Sequence, residues 1–280
     1  MKLLRFGDIG KEKPGILDKN GIIRDLSGHI IDINGDTIND ESLNKISSID
    51  LSTLPIVPDG TRLGACVGNI GKFLCIGLNY SDHAAESGLP VPSEPILFSK
   101  ATSAVVGPND NIEIPRNSAE TDWEVELGIV IGKKAKYLNE GEAEEYIAGY
   151  CVVNDVSERE FQIKREGQWT KGKSCDTFGP TGPYLVTKDD ITDVQNLKMF
   201  LDVNGKRMQD GSTNTMIFSA NYIVYYLSQF MSLNPGDIIA TGTPPGVGLG
   251  MKPPVFLKPG DKMRLGIEGL GEQNQICVQG

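Results

Sequence analysis

The sequence predicts a mainly β fold with some helix, of the α+β class, and three observations carry that expectation. Short β-branched and aromatic runs recur along the 280 residues, few windows have a helical period, and 33 glycines interrupt the runs. A chain of this length holds one large core and a small appended piece. With 27 basic and 37 acidic residues the formal charge is −10. No Lys/Arg cluster interleaves with aromatics, so nucleic acid is not an expected partner. No stretch approaches ~18 apolar residues, so no membrane span is expected. Five cysteines without a Cys-x-x-Cys pair read as buried thiols in a reducing compartment, and the chain is read as cytoplasmic.

Taken in order, residues 1–65 form an expected small N-terminal β-rich subdomain. Leu3–Phe6 and Gly21–Leu26 are its strand-like runs, a capped helix follows Asn39, and a proline-bearing linker spans 54–60. His29 has no acidic or cysteine neighbour to engage it and reads as structural or surface. Residues 70–280 form the main domain. Lys72–Tyr80 is a strand ending in a turn, Ser81–Gly88 a short capped helix, and Ile96–Lys100 another strand. On that helix His83 and Glu86, three apart, can touch, and a carboxylate beside an imidazole suits a general base. Asn139 is expected to cap a helix to Tyr146, and 157–163 is expected to be helical. The stretch 168–180 reads as a polar loop holding Lys171 and Lys173. The chain closes with a hairpin at Asn204-Gly205, a helix within 216–233, a glycine/proline loop at 242–248 and a last strand near 261–268.

The chemistry concentrates in Asp122-Trp123-Glu124-Val125-Glu126-Leu127. On a strand Glu124 and Glu126 project to the same face. Side by side they repel, so a cation lies between them, one is protonated, or both are solvated. Tyr150–Asp155 is a second apolar strand ending in an acid. If the two strand ends meet, Glu124, Glu126 and Asp155 supply three hard oxygen ligands, a set suited to Mg²⁺, Mn²⁺ or Ca²⁺.

Together, Gly77-Leu78-Asn79-Tyr80-x-x-His83-x-x-Glu86, the Glu124-x-Glu126 strand, Asn154-Asp155-Val156-Ser157, the lysines at 171 and 173 and Gly242–Gly248 resemble the fumarylacetoacetate hydrolase family over roughly residues 70–280. The resemblance implies a rolled β core, a homodimer, and Mg²⁺ or Mn²⁺ on Glu124, Glu126 and Asp155. It implies that His83 and Glu86 sit on a segment, 80–95, that closes over the site and activates water. Lys173 would be the active-site lysine, with Tyr80, Lys100, Arg159, Gln162 and Thr243 near a small anionic keto-acid substrate. Within the family the sequence is most similar to hydrolases of 2,4-diketo-3-deoxy sugar acids and to ureidoglycolate lyases. The expected reaction is metal-dependent cleavage of a carbon–carbon bond, giving pyruvate and a hydroxy acid. A ureidoglycolate lyase, an isomerase or a decarboxylase of related acids is the alternative. A member that binds metal without catalysis should have lost the water-activating pair, and this chain keeps both His83 and Glu86.

Overall fold

The computed structural model describes every residue except 83–85, 87 and 89. Its backbone is a nine-stranded mixed sheet beside a five-stranded one. The large sheet runs in the order Ile23–Asp25, Lys13–Leu17, Lys2–Phe6, Leu185–Thr187, Ile147–Asn154, Val125–Ile131, Ile238–Ala240, Phe73–Gly77 and Ile96–Lys100. Its central strands Val125–Ile131 and Ile147–Asn154 are buried along their whole length, as their continuous apolar texture requires. The second sheet is Lys206–Ser212, Lys198–Val203, Lys262–Ile267, Gly271–Gln279 and Ile112–Ile114. Leu127, Ile129 and Val152 from the first sheet share one apolar core with Met199, Leu201, Met263 and Leu265 from the second. This is the mainly β, α+β architecture that the sequence predicts.

Residues 1–65 do not stand apart from it. Lys2–Phe6 pairs with Leu185–Thr187, so the N-terminal strands extend the main sheet. Leu3, Ile16 and Leu26 share a core with Phe73, Cys151 and Ile238. His29 is exposed.

Three expected helices are shortened, each for a local reason. The helix within 216–233 covers only Ala220–Ser228, where Ser219 accepts from the Tyr222 N–H as its cap. Upstream, the Ile217 and Phe218 N–H groups bond Asn79, and Ser219 is extended at φ −64° and ψ 160°, so the helix starts at Ala220. After Asn139 the chain makes a tight turn and only a 3₁₀ segment, Ala143–Tyr146. There the Glu142 carboxylate accepts from both the backbone and side-chain N–H groups of Asn139. Ser157–Glu158 is a short strand on Thr121–Asp122, and a π-helical turn, Glu160–Lys164, replaces the α-helix expected through 163. The supposed loop at 168–180 contains a helical turn, Thr170–Lys173, which separates its lysines: Lys173 is buried and Lys171 exposed.

Candidate active site

Register brings the acids together. Glu126 lies opposite Val153 and Val125 opposite Asn154. The Asp155 N–H then donates to the Glu124 carbonyl at 2.9 Å, which fixes the strand ends side by side. Carboxylate oxygens of Glu124, Glu126 and Asp155 all fall within 4.8 Å of one another, and all three residues are buried. The neighbouring strand Ile238–Ala240 runs into the glycine/proline loop on the other flank. Gly242 there takes φ +97°, and a Cβ on it would sit 2.8 Å from the Asn79 Cβ, so glycine is required. Its N–H donates to Glu126 Oε2 at 2.8 Å.

Cations surround this cluster. Lys173 Nζ bridges Glu124 Oε2 at 2.8 Å and Asp155 Oδ2 at 2.6 Å. Lys100 Nζ holds Asp155 Oδ1 at 2.5 Å and the Val156 carbonyl at 3.0 Å. The Arg159 guanidinium reaches Glu124 Oε1 at 2.7 Å and Asp122 Oδ2 at 2.8 Å. Burial opposes the charge on Glu124, but Lys173 and Arg159 outweigh it and hold its carboxyl far below the usual range. Burial likewise opposes the Lys173 ammonium, and Asp155 and Glu124 overcome it, so its pKa rises. Glu126 goes the other way: burial, then the charges of Asp155 and Glu124, push its pKa up. Three buried carboxylates whose oxygens lie within 4.8 Å of one another fit a divalent cation, which would relieve their repulsion, and an all-oxygen donor set suits Mg²⁺ or Mn²⁺ better than zinc.

The cluster opens into a cavity of about 460 Å³, in the range of small-molecule sites. Glu124, Glu126, Arg159, Gln162, Lys173 and Thr243 line it, with Glu86 at the rim. Glu86 accepts from the Gly246 N–H at 3.3 Å. His83, the expected base, lies outside the described residues, as does part of the 80–95 segment. Two expected substrate contacts are not in the cavity. Tyr80 is fully buried in the main core with its hydroxyl on Met199 Sδ at 3.3 Å, because the turn after Phe73–Gly77 points it inward. Lys100 sits behind Asp155 with its side chain fully buried, so it holds a carboxylate in place instead of meeting substrate. Thr243 does reach the cavity, but its hydroxyl donates to the Val125 carbonyl at 2.9 Å and accepts from Gln209 at 2.8 Å.

Sequence reasoning missed Asp122. Its buried carboxylate accepts from the N–H groups of Trp123, Gly248 and Leu249 and from Arg159, so it ties the glycine/proline loop and the guanidinium to one point. Its place beside Glu124 in an otherwise apolar strand start was the available signal. Asn154 was missed too; its amide accepts from the Glu124 N–H at 3.2 Å and donates to Gln275 at 3.0 Å.

The chain belongs to the fumarylacetoacetate hydrolase family: the model of the fumarylacetoacetate (FAA) hydrolase C-terminal domain matches residues 72–278. It is accordingly an enzyme of a family of hydrolases and isomerases. A Burkholderia orbicola protein, provisionally named a hydrolase with no substrate stated, is 61% identical over 276 residues, covering 98% of each chain. A fumarylacetoacetate hydrolase from the psychrophile Exiguobacterium antarcticum has a solved structure that matches with TM-score 0.86 at 36% identity, over 100% of both chains. That of a 2-hydroxyhepta-2,4-diene-1,7-dioate isomerase from Mycobacterium marinum matches with TM-score 0.78 at 32% identity, covering 100% of this chain and 98% of that one. Among the described residues, no helix is long and apolar enough to cross a membrane.

Proposed function

We propose that this enzyme is a divalent-metal-dependent hydrolase of small 2,4-diketo acids, R–CO–CH₂–CO–COO⁻, with a 3-deoxy sugar acid as the first class to try. The observation that carries the reading is the buried Glu124, Glu126, Asp155 cluster, bridged by Lys173 and open to a cavity of small-acid size. Glu124, Glu126 and Asp155 would hold the ion. A bound Mg²⁺ or Mn²⁺ would withdraw charge from the substrate's carboxylate and adjacent carbonyl and so favour an enolate. His83, with Glu86 three residues on in the sequence, takes a proton from water, and the hydroxide adds to the carbonyl next to R. The bond between that carbonyl carbon and the CH₂ breaks. R–COO⁻ leaves, the CH₂ carbon takes up a proton, and pyruvate is the second product. Lys173, held charged by its carboxylates, faces the negative charge that develops on the pyruvate half. An isomerase of hydroxy-dienoate acids is the second reading, favoured by the M. marinum neighbour. A homodimer remains a proposal from the family.

The test is turnover of a panel: diketo-deoxy sugar acids, acylpyruvates, ureidoglycolate and hydroxy-dienoates, each with Mg²⁺ and with EDTA. Pyruvate release from a diketo acid, lost in EDTA and restored by Mg²⁺, is the expected result. Turnover of ureidoglycolate or a dienoate without pyruvate release would move the enzyme to the other reading. If His83 is the base, activity falls with decreasing pH as the imidazole takes up a proton. A rate unchanged down to about pH 5 would remove His83 from the mechanism.

A further inference from the structure

The cavity has two unlike sides. One is the carboxylate cluster with its cations. The other begins at Phe98, whose ring lies 5.0 Å from Lys173 Nζ, and continues to Trp169, set edge-on to Phe98 at 5.3 Å. Ile163 and Leu249 extend it to the rim, where they stay 49% and 37% exposed, an arrangement that leaves apolar surface in water. The backbone makes room for Trp169 at Gly77, where a Cβ would lie 2.8 Å from the indole.

The cavity's polar groups are largely committed to one another. Thr243 is spent on Val125 and Gln209, Arg159 on Asp122, Glu124 and Gln162, and Lys173 on Glu124 and Asp155. Outside the carboxylate cluster, that leaves among the described lining side chains the Gln162 amide N–H₂, Lys252 and the Trp169 indole N–H, with Glu86 already engaged at the rim. A terminal hydroxyl set against Phe98, Ile163 and Leu249 would lose water here and regain few hydrogen bonds.

Building on the diketo-acid reading, we propose that Trp169 and Phe98 form the specificity wall for the acyl end, and that R ends in a methyl or longer alkyl group in preference to a hydroxymethyl. The experiment compares kcat/KM, with Mg²⁺ present, for two 2,4-diketo acids identical except for a methyl or a hydroxymethyl terminus. Wild type should favour the methyl acid roughly 10- to 100-fold, the range an apolar pocket gives for one polar replacement. Trp169→Ala should bring the ratio close to unity through KM, Trp169→Phe should keep most of it, and Gly77→Ala, which displaces the indole, should resemble Trp169→Ala. An unchanged ratio in Trp169→Ala, or a wild-type preference for hydroxymethyl, overturns the wall. Binding gives an independent readout. The chain has two tryptophans, and Trp123 is fully buried in the core, so quenching of indole fluorescence by the methyl acid reports Trp169. That quench should vanish in Trp169→Phe. Cleavage of neither acid overturns the reaction instead, and the quench then decides the wall by itself.

Discussion

Asp122→Ala should destabilise the fold by about 3–5 kcal/mol, the scale for removing one partner of a buried ion pair, here together with an acceptor of backbone N–H groups. Arg159 is buried and shares its charge between Asp122 and Glu124. With Asp122 gone, the backbone N–H groups of Gly248 and Leu249 also lose their acceptor. The glycine/proline loop would loosen, and the Gly242 N–H that meets Glu126 lies on the same loop. Asp122→Asn keeps the shape and one acceptor oxygen but not the charge, so it should cost less, roughly 1–3 kcal/mol. Thermal or urea unfolding of the two variants checks this order. An Asp122→Ala protein as stable as wild type would show that Asp122 does not secure the loop.

The acids of the site were legible in the sequence because they interrupt apolar strands. Glu124, Glu126 and Asp155 each stand where a buried strand meets polar residues, and a strand's two-residue period puts the glutamates on one face. That the ends of the two strands meet was not legible. It follows from the antiparallel register of Val125–Ile131 on Ile147–Asn154, a long-range pairing that no local pattern encodes. The parallel contact of Ile238–Ala240 with Phe73–Gly77, which delivers the Gly242 loop, is equally non-local.

The sequence was least informative about buried polar groups with a supporting role. Gln209 bonds the Val125 N–H and the Thr243 hydroxyl, and Asn154 and Gln275 join the glutamate strand to the second sheet. An amide on a strand looks like an outward-facing residue until its partner is known. Tyr80 and Lys100 erred the other way: each resembles a ligand contact, yet one packs in the core and the other braces Asp155. The helix at 220–228 came out shorter than its apolar period because the chain before it is held extended: Asn79 bonds Phe218, and Ser219 keeps φ −64° and ψ 160° as the cap.

Lys173→Met is the substitution that separates counter-ion from catalyst. Methionine fills most of the volume but removes the ammonium that bridges Glu124 and Asp155. Without added metal, the buried acids then keep, among the described residues, Lys100 and Arg159 as cationic partners, and stability should fall by about 3–5 kcal/mol. The variant should regain more from Mg²⁺ or Mn²⁺ than wild type does, since the ion takes over the neutralising role. Binding to the native state alone returns about 2.7 kcal/mol at a hundred times Kd. Turnover behaves differently. With metal saturating, the ammonium is still missing where negative charge develops on the pyruvate half, and kcat should remain down by roughly 10²- to 10³-fold, the scale for loss of one preorganised charge-stabilising donor. Melting curves and kcat, each measured across a metal titration, check the two halves independently. Recovery of stability together with a wild-type kcat would make Lys173 a counter-ion only, and the developing charge would then have to be met by Arg159 or by a group in the 80–95 segment.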